Sequence, residues 1–198
     1  MEKKTIVAFD FDGTITVKDT FIRFIIFTKG YCRLFLGLLL YSPFLIAYKL
    51  KLYPNWKAKE KLFSHFYKNT KEEKFNQWCE TFVAEIDATA RPEAIKAIKR
   101  HLDEEATVLI VSASIDAWIK PWAEKTGIDT VLATQAGTDN NKRLTGKFRT
   151  KNCYGEEKAR RINTAFPNRE EYYLIAYGDS RGDKELLKFA DKGYYRYF

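Results

Sequence analysis

Three short apolar runs, each leading into polar residues, constrain the fold of this chain most strongly. They cover residues 5–9, 107–112 and 172–177. Short apolar runs with few charges are typical of strands that are buried on both faces of a parallel sheet. Residues 131–134 predict a further strand, and helical patterns separate the later runs. This alternation predicts an α/β fold with a doubly wound, mostly parallel sheet core.

The stretch between the first two apolar runs is long and has a helical pattern throughout. Its candidate helices lie near residues 19–29, 32–50, 55–69 and 71–87. Thr70 and Glu73 have the spacing of a capping box at the start of the last helix. The 198 residues suffice for one core with a smaller insertion, and no linker separates a second domain. We expect residues 1–17 and 91–198 to form the α/β core and residues 18–90 to form an inserted helical cap.

Charge and cysteine content narrow the class of protein and its partners. Hydrophobic residues make up 45% of the chain, which excludes a disordered or low-complexity protein. The net charge of +8 favours phosphate-rich partners such as nucleic acid, an anionic membrane or phosphorylated metabolites. Cys32, Cys79 and Cys153 lack metal-ligand spacing, and such a pattern is typical of reduced thiols. We therefore expect a cytoplasmic protein without a signal peptide.

Two acids directly follow the first predicted strand. Asp10 and Asp12 are two positions apart, and Gly13 comes next. The carboxyl ends of parallel strands are where open α/β sheets bind ligands. Two carboxylates at such a turn can divide the work of a reaction, since one can attack phosphorus while the other exchanges protons. A turn that only ends a strand has the same pattern, so the motif alone leaves both interpretations open.

Further polar residues come at or just beyond the ends of later strands. Ser112 ends the second strand, where a hydroxyl can hold a phosphate or only stabilise a turn. Lys158 opens a predicted helix, where it could neutralise a phosphoryl group or simply face solvent. Asp179 and Asp183 follow the last long apolar run, and acids there suit Mg²⁺, which prefers oxygen ligands. Ser114 is expected to cap the next helix.

In chain order, these motifs resemble the haloacid dehalogenase-like superfamily, in its phosphoserine-phosphatase-like branch. The matching residues are DFDGT at 10–14, Ser112, Lys158 and GDSRGD at 178–183. The helical insertion between the first and second motifs is similar to the cap of that branch. The resemblance covers nearly the whole chain and implies a phosphoric monoester hydrolase with the haloacid dehalogenase-like fold.

The resemblance also implies a role for each matching residue. Asp10 would be the nucleophile that forms an aspartyl-phosphate, and Asp12 would be the general acid and base. The residues that would bind the phosphoryl group are Gly13, Ser112, Ala113 and Lys158. The residues that would hold Mg²⁺ are Asp10, Asp12 through its backbone carbonyl, Asp179 and Asp183. Dehalogenases of the superfamily lack the second acid, because a halide needs no proton on leaving. Asp12 therefore favours phosphate ester hydrolysis, and transfer to an acceptor other than water stays open.

An uncharged apolar stretch in the predicted cap, residues 34–48, bears on the substrate. It is shorter than the ~20 residues that a membrane-spanning helix needs, and Ser42 and Pro43 interrupt it. A segment that is apolar all round must be buried, either inside the cap or in a membrane. Cations flank it, and such a rim favours attachment to an anionic lipid leaflet. They are Lys29, Arg33, Lys49, Lys51, Lys57, Lys59 and Lys61.

This apolar stretch with basic flanks resembles the phosphatidylglycerophosphatase C type of the same branch, as does the segment from Cys153 to Lys158. That type dephosphorylates a membrane lipid. The resemblance implies a substrate such as phosphatidylglycerophosphate, contact with an anionic membrane through residues 21–61, and a peripheral position at the inner face of the membrane. The alternative is a soluble enzyme whose apolar stretch is packed inside the cap.

Asp19 fits the soluble alternative, with phosphoserine or another small phosphorylated metabolite as substrate. It lies where phosphoserine phosphatases carry an acid that contacts the amine of their substrate. An acid at a helix start also interacts favourably with the helix dipole, so this position leaves both interpretations open. Nucleic acid is not an expected partner, because the aromatic residues of the lysine-rich segment 49–74 recur at helical spacing, as in a stripe that faces a core.

Overall fold

The computed structural model describes residues 3–50 and 52–198, without the side chains of Leu45, Tyr48 and Lys49. Within these residues the strands in chain order are β1 (Lys4–Phe9), β2 (Thr107–Ile115), β3 (Thr130–Thr134), β4 (Ala136–Thr138), β5 (Leu144–Phe148), β6 (Tyr172–Gly178) and β7 (Lys192–Tyr195). The central sheet has the order β3-β2-β1-β6-β7, and all of its neighbouring strands are parallel. β4 and β5 form a separate antiparallel pair. The predicted α/β class with a parallel sheet is confirmed.

The described helices fall into two groups along the chain. Between β1 and β2 lie α1 (Thr20–Lys29), α2 (Tyr31–Leu40), α3 (Ser42–Lys49), α4 (Asn55–Tyr67), α5 (Glu72–Thr81), α6 (Val83–Asp87) and α7 (Pro92–Asp103). The later helices are α8 (Asp116–Lys125), α9 (Glu156–Ala165) and α10 (Lys184–Phe189). The later group alternates with the strands, as expected for a doubly wound sheet.

The central strand β1 is buried on both faces and lies between β2 and β6. Ile6, Val7, Ala8 and Phe9 have almost no exposed surface, which explains why this segment reads as a continuous apolar run. Phe9, the last residue of β1, is paired in parallel with Ile110 of β2 and with Tyr177, one residue before the end of β6. The carboxyl ends of β1, β2 and β6 therefore meet at one edge of the sheet.

The helices α1 to α6 leave the sheet and return to it at almost the same place. Thr16 and Ala90 form an antiparallel bridge, and the Arg91 N–H donates to the Ile15 carbonyl at 2.8 Å. The N–H of Val17 similarly donates to a carbonyl of the returning segment. We propose residues 18–90 as the cap and the remainder as the core, as the sequence predicts.

Two of the predicted cap helices are divided in the structure. The candidate helix at 32–50 is split at Tyr41, and Pro43 lies in the first turn of α3, where proline needs no backbone donor. The candidate helix at 71–87 is split at Phe82. The capping box predicted for Thr70 is wrong. α5 begins at Glu72, because the backbone of Thr70 accepts a hydrogen bond from Leu144 of β5 at 2.9 Å.

The inserted helices share one aromatic cluster with α8. Phe24 of α1 stacks on Trp118 of α8 with ring centroids 4.6 Å apart, and its edge meets the ring of Phe82 at 5.1 Å. All three rings are almost fully buried. Residues from β1 and β2 belong to the same apolar cluster. The inserted helices are thus packed on the sheet layer through a continuous apolar interior.

Candidate active site

Asp10 is the first residue after β1, at the point where the connections of the sheet reverse direction. The chain adds β2 and β3 on one side of β1 and then crosses to β6 on the other, which creates a crevice at the strand ends. The Asp10 N–H donates to the Tyr177 carbonyl at 2.9 Å and so continues the pairing of β1 with β6. The side chain of Asp10 is buried, and its Oδ1 accepts a hydrogen bond from Lys158 Nζ.

Lys158 connects Asp10 with the loop that follows β6. It lies in the first turn of α9 and is buried, and its Nζ also donates to Oδ1 of Asp183 at 2.5 Å. The other oxygen of Asp183 accepts hydrogen bonds from the Ser180 N–H at 3.0 Å and the Ser180 hydroxyl at 2.7 Å. Asp183 is therefore held from two sides, and it fixes the position of the lysine.

Asp12 points to a different set of partners from those of Asp10. Its Oδ1 accepts hydrogen bonds from the Thr20 N–H at 2.7 Å and the Thr20 hydroxyl at 2.6 Å, and its Oδ2 accepts one from the Ser114 hydroxyl. The prediction of Ser114 as a helix cap is wrong, because Ile115 precedes the first residue of α8 and the Ser114 side chain is directed to Asp12. Thr20 has no motif that marks it in the sequence.

Gly13 and Thr14 bring Asp179 next to the first strand. Gly13 has a φ of +88°, and a Cβ atom there would lie 2.5 Å from Oδ2 of Asp179, so only glycine fits. The Thr14 hydroxyl lies 3.4 Å from Oδ2 of Asp10 and 3.4 Å from Oδ1 of Asp179. The glycine and the threonine thus let two carboxylates from different strands approach each other.

Burial and crowding of like charges determine the protonation of this cluster. Burial raises the pKa of Asp10 to about 7, against the lowering effect of Lys158. Burial and the neighbouring Asp19 raise the pKa of Asp12. Burial disfavours the charged form of Lys158, but the carboxylates of Asp10 and Asp183 raise its pKa above the usual value. The pKa of Asp183 is lowered, because the lysine and Ser180 outweigh the effect of its burial.

A pocket of about 320 Å³ opens over these residues. Of the predicted site residues, its described lining includes Asp10, Asp12, Asp19, Ser112, Ala113 and Lys158. Gly13, Asp179 and Asp183 are outside that lining. The structure therefore brings six of the nine predicted residues to one pocket, and the other three contact members of that set or each other.

Two lining residues have a local structure that explains their position. The prediction that Ser112 ends the second strand is wrong, because β2 continues to Ile115. The Ser112 hydroxyl accepts a hydrogen bond from the Ser114 N–H at 3.0 Å, where the pairing of β2 with β3 shifts register. Asp19 caps α1, where its Oδ1 accepts a hydrogen bond from the Ile22 N–H at 3.1 Å. Lys59 of α4 also lines the pocket, and its Nζ donates to the Ala113 carbonyl at 3.1 Å. No sequence motif marks Lys59 as a site residue.

Three carboxylates could hold a cation. Oxygens of Asp10, Asp179 and Asp183 all lie within 4.8 Å of one another. Burial raises the pKa of Asp179, and the nearby charge of Asp183 raises it further. A divalent cation that prefers oxygen ligands would relieve this repulsion, so the residues present fit Mg²⁺. The carboxylate of Asp12 is outside this cluster, and its predicted contact was through the backbone carbonyl.

Residues 7–188 match the family model of haloacid dehalogenase-like hydrolases. The chain belongs to this family. Protein CicA of Caulobacter vibrioides is 33% identical to the hydrolase over 194 residues, which cover 98% of this chain and 86% of that protein.

Solved structures share the fold of the hydrolase at lower identity. A protein with unknown function from Bordetella pertussis Tohama I has a TM-score of 0.83 at 18% identity, over 97% of this chain and 89% of that one. A substrate-bound phosphoserine phosphatase has a TM-score of 0.68 at 19% identity, over 98% of this chain and 87% of that one. The predicted superfamily and the hydrolase class are confirmed, and the fold is shared with phosphoserine phosphatases.

Proposed function

We propose that this hydrolase is a Mg²⁺-dependent phosphatase that cleaves a phosphate monoester through an aspartyl-phosphate on Asp10. The observation that carries the proposal is the pairing of Asp10 with Lys158 at the end of β1, with Asp12 lining the same pocket. A carboxylate with a cation beside it and a second carboxylate of raised pKa provides a nucleophile, a charge for the phosphoryl group and a proton donor.

In the first step, an oxygen of the Asp10 carboxylate attacks phosphorus. The new bond joins Asp10 to phosphorus, and the bond between phosphorus and the alcohol oxygen breaks. Asp12 in its protonated form donates its proton to that oxygen, so the alcohol leaves as a neutral molecule. The ammonium group of Lys158, with the N–H groups near Ser112, stabilises the negative charge on the phosphoryl oxygens.

In the second step, water releases the phosphoryl group. Asp12 is now a carboxylate and takes a proton from water, whose oxygen forms a bond to phosphorus. The bond between phosphorus and Asp10 breaks, so inorganic phosphate leaves and both carboxyl groups return to their initial states. A bound Mg²⁺, held by Asp10, Asp179, Asp183 and the carbonyl of Asp12, would supply further positive charge to the phosphoryl oxygens.

The mechanism is tested by replacing Asp10 with asparagine. We expect Asp10→Asn to abolish Mg²⁺-dependent phosphate release while the thermal unfolding midpoint stays near that of the wild type. Asp129→Asn, an exposed aspartate after α8, is the matched control and should keep full activity. Substantial phosphate release by Asp10→Asn would contradict the nucleophile assignment.

We further propose that the substrate is a membrane lipid phosphate, such as phosphatidylglycerophosphate, reached through an exposed apolar surface. Leu36 and Leu39 of α2 are each 61% exposed, while Leu34 and Gly37 on the same helix are buried. Patches of this kind mark interaction sites. We call the exposed apolar residues of α2, α3 and the segment after them the α2–α3 face: Phe35, Leu36, Leu39, Leu40, Ile46, Leu50 and Leu52.

The charges around the α2–α3 face support a lipid partner. Arg33 and Lys57 flank the α2–α3 face in the sequence, and both are exposed. Each such cation contributes about 1 kcal/mol to binding at an anionic leaflet. The Lys49 side chain and Lys51, also expected in this rim, lie outside the described residues. Among the described residues, the helices are all too short or too polar to cross a membrane. A peripheral contact is therefore the form of membrane association that we propose.

Sedimentation with lipid vesicles tests this contact. We expect the protein to bind vesicles that contain phosphatidylglycerol more strongly than vesicles of phosphatidylcholine alone. The double variant Leu36→Glu and Leu39→Glu should lose this binding, whereas Val17→Glu, at another exposed apolar residue, should keep it. Equal binding by the double variant and the wild type would contradict the assignment of the α2–α3 face.

A soluble phosphatase for phosphoserine or another small ester is the second candidate. Asp19 lines the pocket, and the fold is that of phosphoserine phosphatases, which favours this candidate. Arg23 is paired with Glu85 and does not line the described pocket, so the cation that the inserted helices contribute is Lys59. Phosphate release from phosphoserine that exceeds release from the lipid in mixed micelles would favour this candidate.

A further inference from the structure

A second and larger cavity adjoins the catalytic pocket. Its volume is about 980 Å³, compared with about 320 Å³ for the catalytic pocket. The two share Asn55, Asn152 and Tyr154 in their walls, so they are direct neighbours. We call the second cavity the side groove. Its size is at the upper end of the roughly 300–1,000 Å³ that small-molecule sites have.

The side groove has aromatic walls from three parts of the chain. Trp56 comes from the first turn of α4, Phe148 ends β5, and Tyr154 precedes α9. The Tyr154 ring also lies against Gly182 in the loop that carries Asp183, so one wall of the groove touches the catalytic loop. Aromatic side chains offer large apolar surfaces to a ligand at a low cost in side-chain entropy.

Several charged groups in the side groove already have partners in the protein. The Glu60 carboxylate accepts a hydrogen bond from the Phe148 N–H at 2.8 Å. Arg160 forms two hydrogen bonds with Glu157, at 2.7 Å and 2.6 Å. The charges of Arg160 and Glu157 compensate each other, and in the described lining the acids Glu60, Glu156 and Glu157 outnumber the cations Lys151 and Arg160. The side groove therefore favours an apolar ligand over an anionic one.

The catalytic pocket determines which part of a substrate reaches the side groove. A phosphoryl group that Asp10 attacks lies at the buried strand end, and the alcohol part of the ester must extend away from it. The side groove is the neighbouring space on the side of Asn55 and Asn152, and we take the extension to run past these two residues. A small alcohol such as serine would leave the side groove empty.

We propose that the side groove binds a long alkyl chain in the alcohol part of the substrate. The proposal rests on the proposed phosphatase function and narrows it to monoesters whose alcohol carries such a chain. Exposed apolar residues precede Trp56 directly in the sequence, since Leu50 and Leu52 belong to the α2–α3 face. The chain that follows this face thus leads into the side groove.

Alkylphosphonates test the proposal without turnover, because their carbon–phosphorus bond is not hydrolysed by this mechanism. Binding to the wild-type protein would be measured by calorimetry with Mg²⁺, from methylphosphonate to octylphosphonate, below micelle-forming concentrations and without vesicles. Each added methylene should tighten binding by up to about fourfold where it is fully buried. The affinity should stop rising once the chain fills the side groove.

Trp56→Ala is the decisive variant, because Trp56 is 42% exposed and its removal leaves the core intact. We expect about tenfold weaker binding of octylphosphonate and unchanged binding of methylphosphonate. Tyr173→Ala, at a 40% exposed residue that does not line the side groove, is the control and should change neither affinity.

The outcomes separate this inference from the phosphatase proposal. An affinity that does not change with chain length, or an equal loss for Trp56→Ala with both phosphonates, would overturn the side-groove assignment, while Mg²⁺-dependent release of phosphate from small esters would still support the phosphatase. Failure to release phosphate from any ester would overturn the phosphatase, and the phosphonate series would still report on the side groove.

Discussion

Replacing Ser114 by alanine would remove one of the three hydrogen bonds that Asp12 accepts. The Ser114 hydroxyl lowers the pKa of Asp12 against the raising effects of burial and Asp19. A hydrogen bond to a charged group contributes about 1.5–3 kcal/mol. Its loss makes the carboxylate form of Asp12 less stable, and Asp12 needs that form to accept a proton from water. We therefore expect release of the phosphoryl group from Asp10 to slow by about 10- to 100-fold.

Rapid-quench kinetics would detect this effect of Ser114→Ala. The alcohol should appear in a fast burst, because the first step still proceeds, and steady turnover should then be slower than in the wild type. Thr89→Ala is the control, because within the described residues this buried hydroxyl donates to backbone carbonyls of its own helix end. Unchanged turnover without a burst in Ser114→Ala would refute the role assigned to this hydrogen bond.

Three further changes have defined expected results. Gly13→Ala should abolish phosphate release, because the added Cβ would lie 2.5 Å from Oδ2 of Asp179. An activity assay across Mg²⁺ concentrations checks this loss. Phe24→Ala removes a ring with four aromatic neighbours and should lower the free energy of unfolding by about 3–5 kcal/mol in urea titrations. Burial raises the pKa of Asp191, but hydrogen bonds, including one from the Leu174 N–H, lower it overall. The stabilising effect of the ionised Asp191 is therefore lost as the pH falls below about 4. The midpoint of urea unfolding should consequently change less between about pH 5 and about pH 3 in Asp191→Asn than in the wild type.

The residues at the strand ends were predictable because their signal is local. A short apolar run that leads into acids predicts both a buried strand and the residue where the strand ends, as at Asp10 and Asp179. Parallel strands then place such ends at one edge of the sheet, so the meeting of these carboxylates follows from the fold class alone. The sequence signal for the helix that begins near Lys158 is local in the same sense.

The partners of Asp12 could not be predicted, because they depend on tertiary packing. Ser114 lies 102 positions from Asp12 in the sequence, and its hydrogen bond exists only because β2, which carries Ser114, pairs with β1. The local pattern favoured a helix cap at Ser114, and long-range packing overrode it. Thr70 is a parallel case, since its pairing with β5 displaces the expected helix start.

The aromatic cluster that joins the inserted helices to α8 has a consequence for substrate exchange. Swinging the inserted helices away from the sheet would separate Phe24 from Trp118 and expose apolar surface at about 25 cal/mol per Å². Many enzymes with a closing lid are limited by the movement of that lid. Phe21, on the same helix as Phe24, lines the catalytic pocket and lies 6.3 Å from Trp118 between ring centroids. A movement of the inserted helices that widens the catalytic pocket would therefore also break part of the apolar interior that stabilises the fold.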